Sequence, residues 1–244
     1  MRTAGAGGSG KGMMGTREGS VGLDRARGGA RTPGIRGRQA AGTREAILAT
    51  AERLFAEHGV TSVSSRQISE AAGQGNNAAV GYHFGTKADL IRAIVRRHDE
   101  VIERSRRRHA DRVGPEGAVR EWVACLVLPL TEHMAAAGAT SWYARFLVQM
   151  STDPALREIV DDEVLASPQI ARIAQGLQPC LAALPTAVRE ERLLMARSLL
   201  LHTCAARERA LAVSGEAPGP AWEQTAKMLV DAISGLLLAP VSEA

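Results

Sequence analysis

Between Thr43 and Leu238 apolar residues return every three or four positions, and no stretch alternates apolar and polar with the two-residue period of a strand. Ile47, Leu48, Ala51, Leu54 and Phe55 set the pattern, with Gly59 placed to stop that helix. Such a chain must bury helical stripes against one another, so the expected fold is all-α. Aromatic residues make up only 3% of the sequence, poor material for a sheet. The 244 residues allow one large domain or two smaller ones.

Ser64 and Gln67 have capping-box spacing and open a short second helix, whose expected buried side is Ile68, Ala71 and Ala72. Gly73 to Asn77 is a turn cluster. Ala78 to Tyr82 forms a very short third helix, capped by Asn76 or Asn77. Thr86 caps a fourth, with Leu90, Ile91, Ile94, Val95 and Ile102 on its apolar face. That helix turns strongly basic from Arg104 to Arg112 and ends before Gly114-Pro115. Three short helices and a longer one form a helix-turn-helix pattern. The second helix would cross a DNA backbone while the turn aims the third into the major groove. Beyond Pro115, further helices are expected near 116–137, 140–151, 154–166, 168–183, 186–214 and 220–238. Pro129 should kink the first, and Pro168 and Pro220 sit in opening turns.

Residues 1–42 hold 13 of the 25 glycines and eight Lys or Arg against two acids, and read as a flexible basic arm. Met13 or Met14 is an alternative start. Gly5 to Gly12 falls one residue short of a phosphate-binding loop: Gly12 stands where a hydroxyl would hold Mg²⁺, and no strand precedes it. Residues 1–112 carry 20 basic against 11 acidic side chains, and residues 113–244 carry 10 against 15. A polyanion partner is therefore expected for the first half only. Cys125, Cys180 and Cys204 are widely spaced, which favours a reducing, cytoplasmic setting over a disulfide framework. No apolar run reaches the ~18 residues of a membrane helix, so no membrane partner is expected. The six histidines show no HExxH spacing and no hydrolase or dinucleotide motif occurs. The expectation is a non-enzyme with no cofactor and no metal. A nonspecific DNA-binding architectural protein remains the alternative to a sequence-specific regulator.

Residues 43–98 resemble the DNA-binding domain of the tetracycline-repressor (TetR) family of bacterial regulators. The resemblance rests on Thr43-Arg44-Glu45-Ala46-Ile47-Leu48, Ala51, Leu54-Phe55, Gly59, Ile68-Ser69-Glu70-Ala71-Ala72-Gly73, and above all Tyr82-His83-Phe84-Gly85-Thr86-Lys87-Ala88-Asp89-Leu90. One departure stands out: the stretch from Gln74 to Gly81 is one residue longer than the commonest family spacing. The resemblance implies phosphate contacts for Tyr82 and Lys87, to which Arg44, Ser64, Ser65 and Arg66 would add. Asn76, Asn77 and Ala78 are the candidates for base edges, with Gly81 permitting close approach. The plainer alternatives are a turn and a cap for Asn76 and Asn77, core packing for Phe55, Val80, Phe84 and His83, and a solvated face for Arg106, Arg107 and Arg108.

The same resemblance implies that residues 99–244 form a helical domain that binds a small molecule and supports a homodimer, the whole acting on a double-stranded DNA operator as a ligand-released repressor. Trp122, Leu126, His133, Trp142, Tyr143, Phe146 and Met150 gather in two helices. They line a pocket, or else form an ordinary core. The leucine-rich helices 186–214 and 220–238 make a four-helix interface between subunits, or else are buried within one.

Overall fold

The computed structural model describes residues 35–114, 116–215 and 217–242, and every regular element among them is an α-helix. These are α1 (Ile35–His58), α2 (Ser65–Ala71), α3 (Ala79–Phe84), α4 (Lys87–Ala110), α5 (Val119–Ala137), α6 (Tyr143–Ser151), α7 (Pro154–Leu165), α8 (Pro168–Cys180), α9 (Thr186–Ser214) and α10 (Pro218–Leu238). The expected arm lies outside the described residues as far as residue 34, as do the Gly5–Gly12 segment and Met13-Met14. Helix α1 begins eight residues before Thr43, helped by the good helix formers Gln39, Ala40 and Ala41. Residues 38–42 are exposed all round, and the first buried side chain is Ile47. The helical backbone thus starts earlier than the packed unit does.

Local signals set the first four helices. Helix α1 stops at Gly59, whose φ of 79° a residue with Cβ would adopt only with strain. Ser64 Oγ accepts from Gln67 N (3.2 Å) while Gln67 Oε1 accepts from Ser64 N (2.8 Å), closing the capping box on α2. Thr86 and Asp89 do the same for α4, and the hydroxyl and backbone hydrogen bonds from Thr86 hold the Asp89 carboxyl below its usual range. Ile47, Phe55, Ile68, Val80, Leu90, Ile91 and Ile94 bring all four helices to one core. Ala71 is exposed, contrary to its expected burial. Ser69 is buried instead, because the turn after α2 folds back over it and Asn77 O accepts its hydroxyl proton (3.3 Å).

The remaining helices follow the expected boundaries closely, with α5 and α6 starting about three residues late. The start of α6 is set from outside: Trp142 supplies no side-chain cap. Glu208 of α9, 2% exposed, accepts the N–H groups of Ala144 (3.2 Å) and Arg145 (3.0 Å). Helix α5 continues through Pro129. Helix α4 runs unbroken across 98/99, so the expected division there falls inside a helix. Helix α1 packs on α6, with the Phe55 and Phe146 rings stacked at 6.4 Å. Among the described residues no helix is long and apolar enough to cross a membrane.

Candidate DNA interface and effector cavity

Helix α3 is six residues long and buries only Ala79 and Val80. Its other side faces out. Tyr82 is 84% exposed, Gly81 has nothing within 4 Å of where a Cβ would sit, and Asn77 and Ala78 are exposed at its entry. Asn76 is committed locally, its Oδ1 accepting from Ala78 N (2.9 Å). The additional residue of the turn is absorbed in the 72–78 connection, and α3 starts at Ala79 rather than Ala78. Phe55 and Val80 are core; Phe84 is half-buried, with the Arg44 guanidinium 4.7 Å from its ring centre. His83 is half-buried beside Tyr82. Ser64 serves as the α2 cap, Ser65 is half-buried beside it, and exposed Arg66 pairs with Glu70 (2.8 Å).

Lys87 turns inward. Its Nζ donates to the carbonyls of Val60 (3.0 Å) and Val63 (2.7 Å), two groups left without helical partners in the α1–α2 connection. A cation there fixes the entry of α2 against the start of α4. The side chain expected on a phosphate is thus holding the scaffold that presents α3.

Behind this unit lies a buried polar chain that no spacing in the sequence announced. His98 of α4 stacks on Tyr143 of α6 (3.8 Å between centroids). Its Nε2 meets Glu52 of α1 at 2.8 Å, and its Nδ1 meets His133 of α5 at 2.7 Å. His98 thus bridges the Glu52 carboxyl group and the His133 ring with its two ring nitrogens. Burial, with His98 alongside, lowers the His133 pKa to about 4. The chain ties α1 and α4 to α5.

A cavity of about 470 Å³ opens among α4 to α10. Of the seven side chains expected to line a pocket, it contains Leu126 and Tyr143. The others are placed elsewhere, each with a packing task. Trp122 lies against Gly176, where even a Cβ would approach its ring to 2.2 Å. His133 joins the polar chain, and Trp142 carries the Arg145 guanidinium 3.8 Å above its ring. Phe146 stacks on Phe55, and Met150 is core. The walls come instead from aliphatic side chains of α5 and α7 to α10, with Asp99 and Arg106 of α4, Asp161 of α7 and Arg197 of α9 as charged groups. Arg106 corrects an expectation: it is 7% exposed rather than solvated, while Arg107 and Arg108 are exposed. A signal existed, since Asp99 and Arg106 continue the helical stripe of Val95 and Ile102. One further surface is apolar: Met195 and Leu199 of α9 and Met228 and Leu238 of α10 are exposed.

Residues 47–94 match the family model described as bacterial regulatory proteins, tetR family. The HTH-type transcriptional repressor AcnR of Corynebacterium glutamicum is 41% identical over 54 residues, which is 22% of this chain and 28% of the repressor's length. The match therefore spans well under a third of that curated relative. Among solved structures, a TetR family transcription regulator from Marinobacter aquaeolei VT8 superposes over 80% of this chain and 97% of its own, with a TM-score of 0.52 and 16% identity. That likeness extends the shared fold through the C-terminal helices.

Proposed function

The chain carries the DNA-binding module of the TetR family of bacterial regulators, and on that premise we propose that it is a homodimeric, sequence-specific repressor released from its operator by a small apolar molecule. The observation that carries this reading is the short helix α3, which exposes Tyr82, Asn77 and Ala78. The core behind it is shared with α1, α2 and α4. Tyr82 is assigned to a phosphate, and Asn77 with Ala78 to base edges. Asn76 shapes the turn, and Lys87 positions α2. The exposed apolar strips of α9 and α10 are the assigned dimer face, which would set two α3 helices on neighbouring half-sites.

The effector is assigned to the cavity between α4 and α10. It would touch α4, whose other end follows α3 directly, so a ligand that prefers one tilt of α4 shifts the separation of the two reading helices. The coupling can be no larger than the ligand's differential affinity for the two tilts. Tyr82→Ala tests the DNA assignment by fluorescence anisotropy on a selected duplex. The expected result is about a tenfold loss of affinity with stability changed by less than about 0.5 kcal/mol, as at most exposed sites. Unchanged affinity removes Tyr82 from the interface. In wild type, about eight neutralised phosphates give a slope of log K against log salt near −7, and a slope near zero contradicts the interface as a whole.

A further inference from the structure

The cavity is apolar except for four charged side chains, Asp99, Arg106, Asp161 and Arg197, which are unequally partnered. Arg106 is nine-tenths buried and faces two carboxylates: its Nη1 lies against Glu103 Oε1, within the same turn of α4, while its Nε has no hydrogen-bond partner. Glu103 is in turn closed off by the hydroxyl of Ser167, which donates to its second oxygen at 2.6 Å. At the mouth, Asp161 and Arg197 neutralise each other at 2.5 Å. Asp99 remains. Its nearest cation is the committed Arg106, 3.8 Å away, beyond hydrogen-bond length. Burial in this setting pushes its carboxyl pKa up, the expected response of an acid short of a partner.

A carboxylate that shares its only nearby cation and has no hydrogen-bonded partner is costly when the cavity is empty and selective when it is filled. We propose that Asp99 makes this cavity a site for lipophilic cations: molecules with an apolar, multi-ring body and one delocalised or shielded positive charge. This deepens the effector reading above and rests on it. The volume of about 470 Å³ sits within the roughly 300–1,000 Å³ of ordinary small-molecule sites. The approach suits such a guest. Leu165, Leu193 and Leu194 are exposed along the opening, so an apolar body is wetted by leucine side chains before it meets a charge. A single anion enters against the Asp99 carboxylate, and the nearest guanidinium, Arg106, already lies against Glu103.

The test uses two probes of nearly the same size and shape and opposite charge, tetraphenylphosphonium and tetraphenylborate, with neutral Nile red as a third. Binding to the full chain is measured by calorimetry, or by emission for the dye. The expected result is at least tenfold tighter binding of tetraphenylphosphonium than of tetraphenylborate. Asp99→Asn, nearly isosteric and checked by its melting curve, should remove that preference while leaving Nile red binding in place. Should that variant not fold, Leu126→Trp, which fills the cavity without touching the charge, should displace all three probes. Preference for tetraphenylborate, or a preference for the cation that survives Asp99→Asn, overturns the inference. So does binding of Nile red without either ion, although the cavity then stands as an apolar site. Failure of all three probes removes the cavity reading itself and the charge inference with it.

Discussion

The first four helices and the last six solve the same problem by different means. From α1 to α4, the turns and helix starts are closed by polar side chains within a few residues: Ser64 with Gln67, Thr86 with Asp89, Asn76 with Ala78. From α5 to α10, Asp153 and Ser167 cap α7 and α8 locally, but other polar contacts reach across the sequence. Glu208 caps α6 from 64 residues away, and Ser167 closes on Glu103 at the same separation. Local closure presets the angle at which α3 is presented before anything is bound. Long-range closure leaves helices that meet through side chains alone, which is where a cavity and a movable α4 can be accommodated.

Several substitutions sharpen or break that contrast. The largest effect is expected from Ile68→Ala, which empties the shared core beneath α2 and α3. A cost of about 2–5 kcal/mol is expected in denaturant melts, with loss of DNA binding. Next, Met195→Glu with Met228→Glu places charge on the exposed strips of α9 and α10. Sedimentation should show monomers with an unchanged far-ultraviolet spectrum, and operator affinity should fall at least 100-fold through lost effective concentration. A dimer that persists would move the subunit contact elsewhere. Lys87→Met should cost about 1–3 kcal/mol by leaving the Val60 and Val63 carbonyls without their cation. Its salt slope of DNA binding should stay at the wild-type value, whereas a slope lowered by about one per subunit would return Lys87 to a phosphate.

The smallest effect concerns the seam between the two regions. His133 has a folded pKa of about 4 against an ordinary 6.5. Below pH 6.5 the unfolded chain takes up a proton that the folded chain refuses, so this site contributes a loss of stability that grows as pH falls from 6.5 toward 4 and then levels off. His133→Gln keeps a hydrogen-bonding group beside His98 and removes the titration. Its stability should therefore fall less over that window than wild type, and an identical decline would place the responsible group elsewhere.

The same contrast governs how much could be read from the sequence. The reading module was legible because its signals are short-range: a cap three residues from its partner and a glycine after an apolar stripe. The inward turn of Lys87 was not, since its acceptors lie 24 and 27 residues earlier. Trp122, Trp142 and Phe146 formed an aromatic cluster by composition, but Gly176, Arg145 and Phe55 claim them, and the Gly176 and Phe55 partners lie 54 and 91 residues away in sequence. Asp99 and Arg106 were hidden for another reason. A basic run reads as solvated unless its phase is followed along the helix, and that phase puts Arg106 in line with Ile102.

The central claim is a dimer that reads sequence through α3. Its most direct test is selection of bound duplexes from a random library at near-physiological salt, using the purified full chain. The account predicts enrichment of one two-fold-symmetric site, with half-sites about one helical turn apart and lost when Asn77 and Ala78 are exchanged for lysine and glutamate. A pool that stays random while the protein binds DNA tightly would contradict it and identify a nonspecific DNA-coating protein.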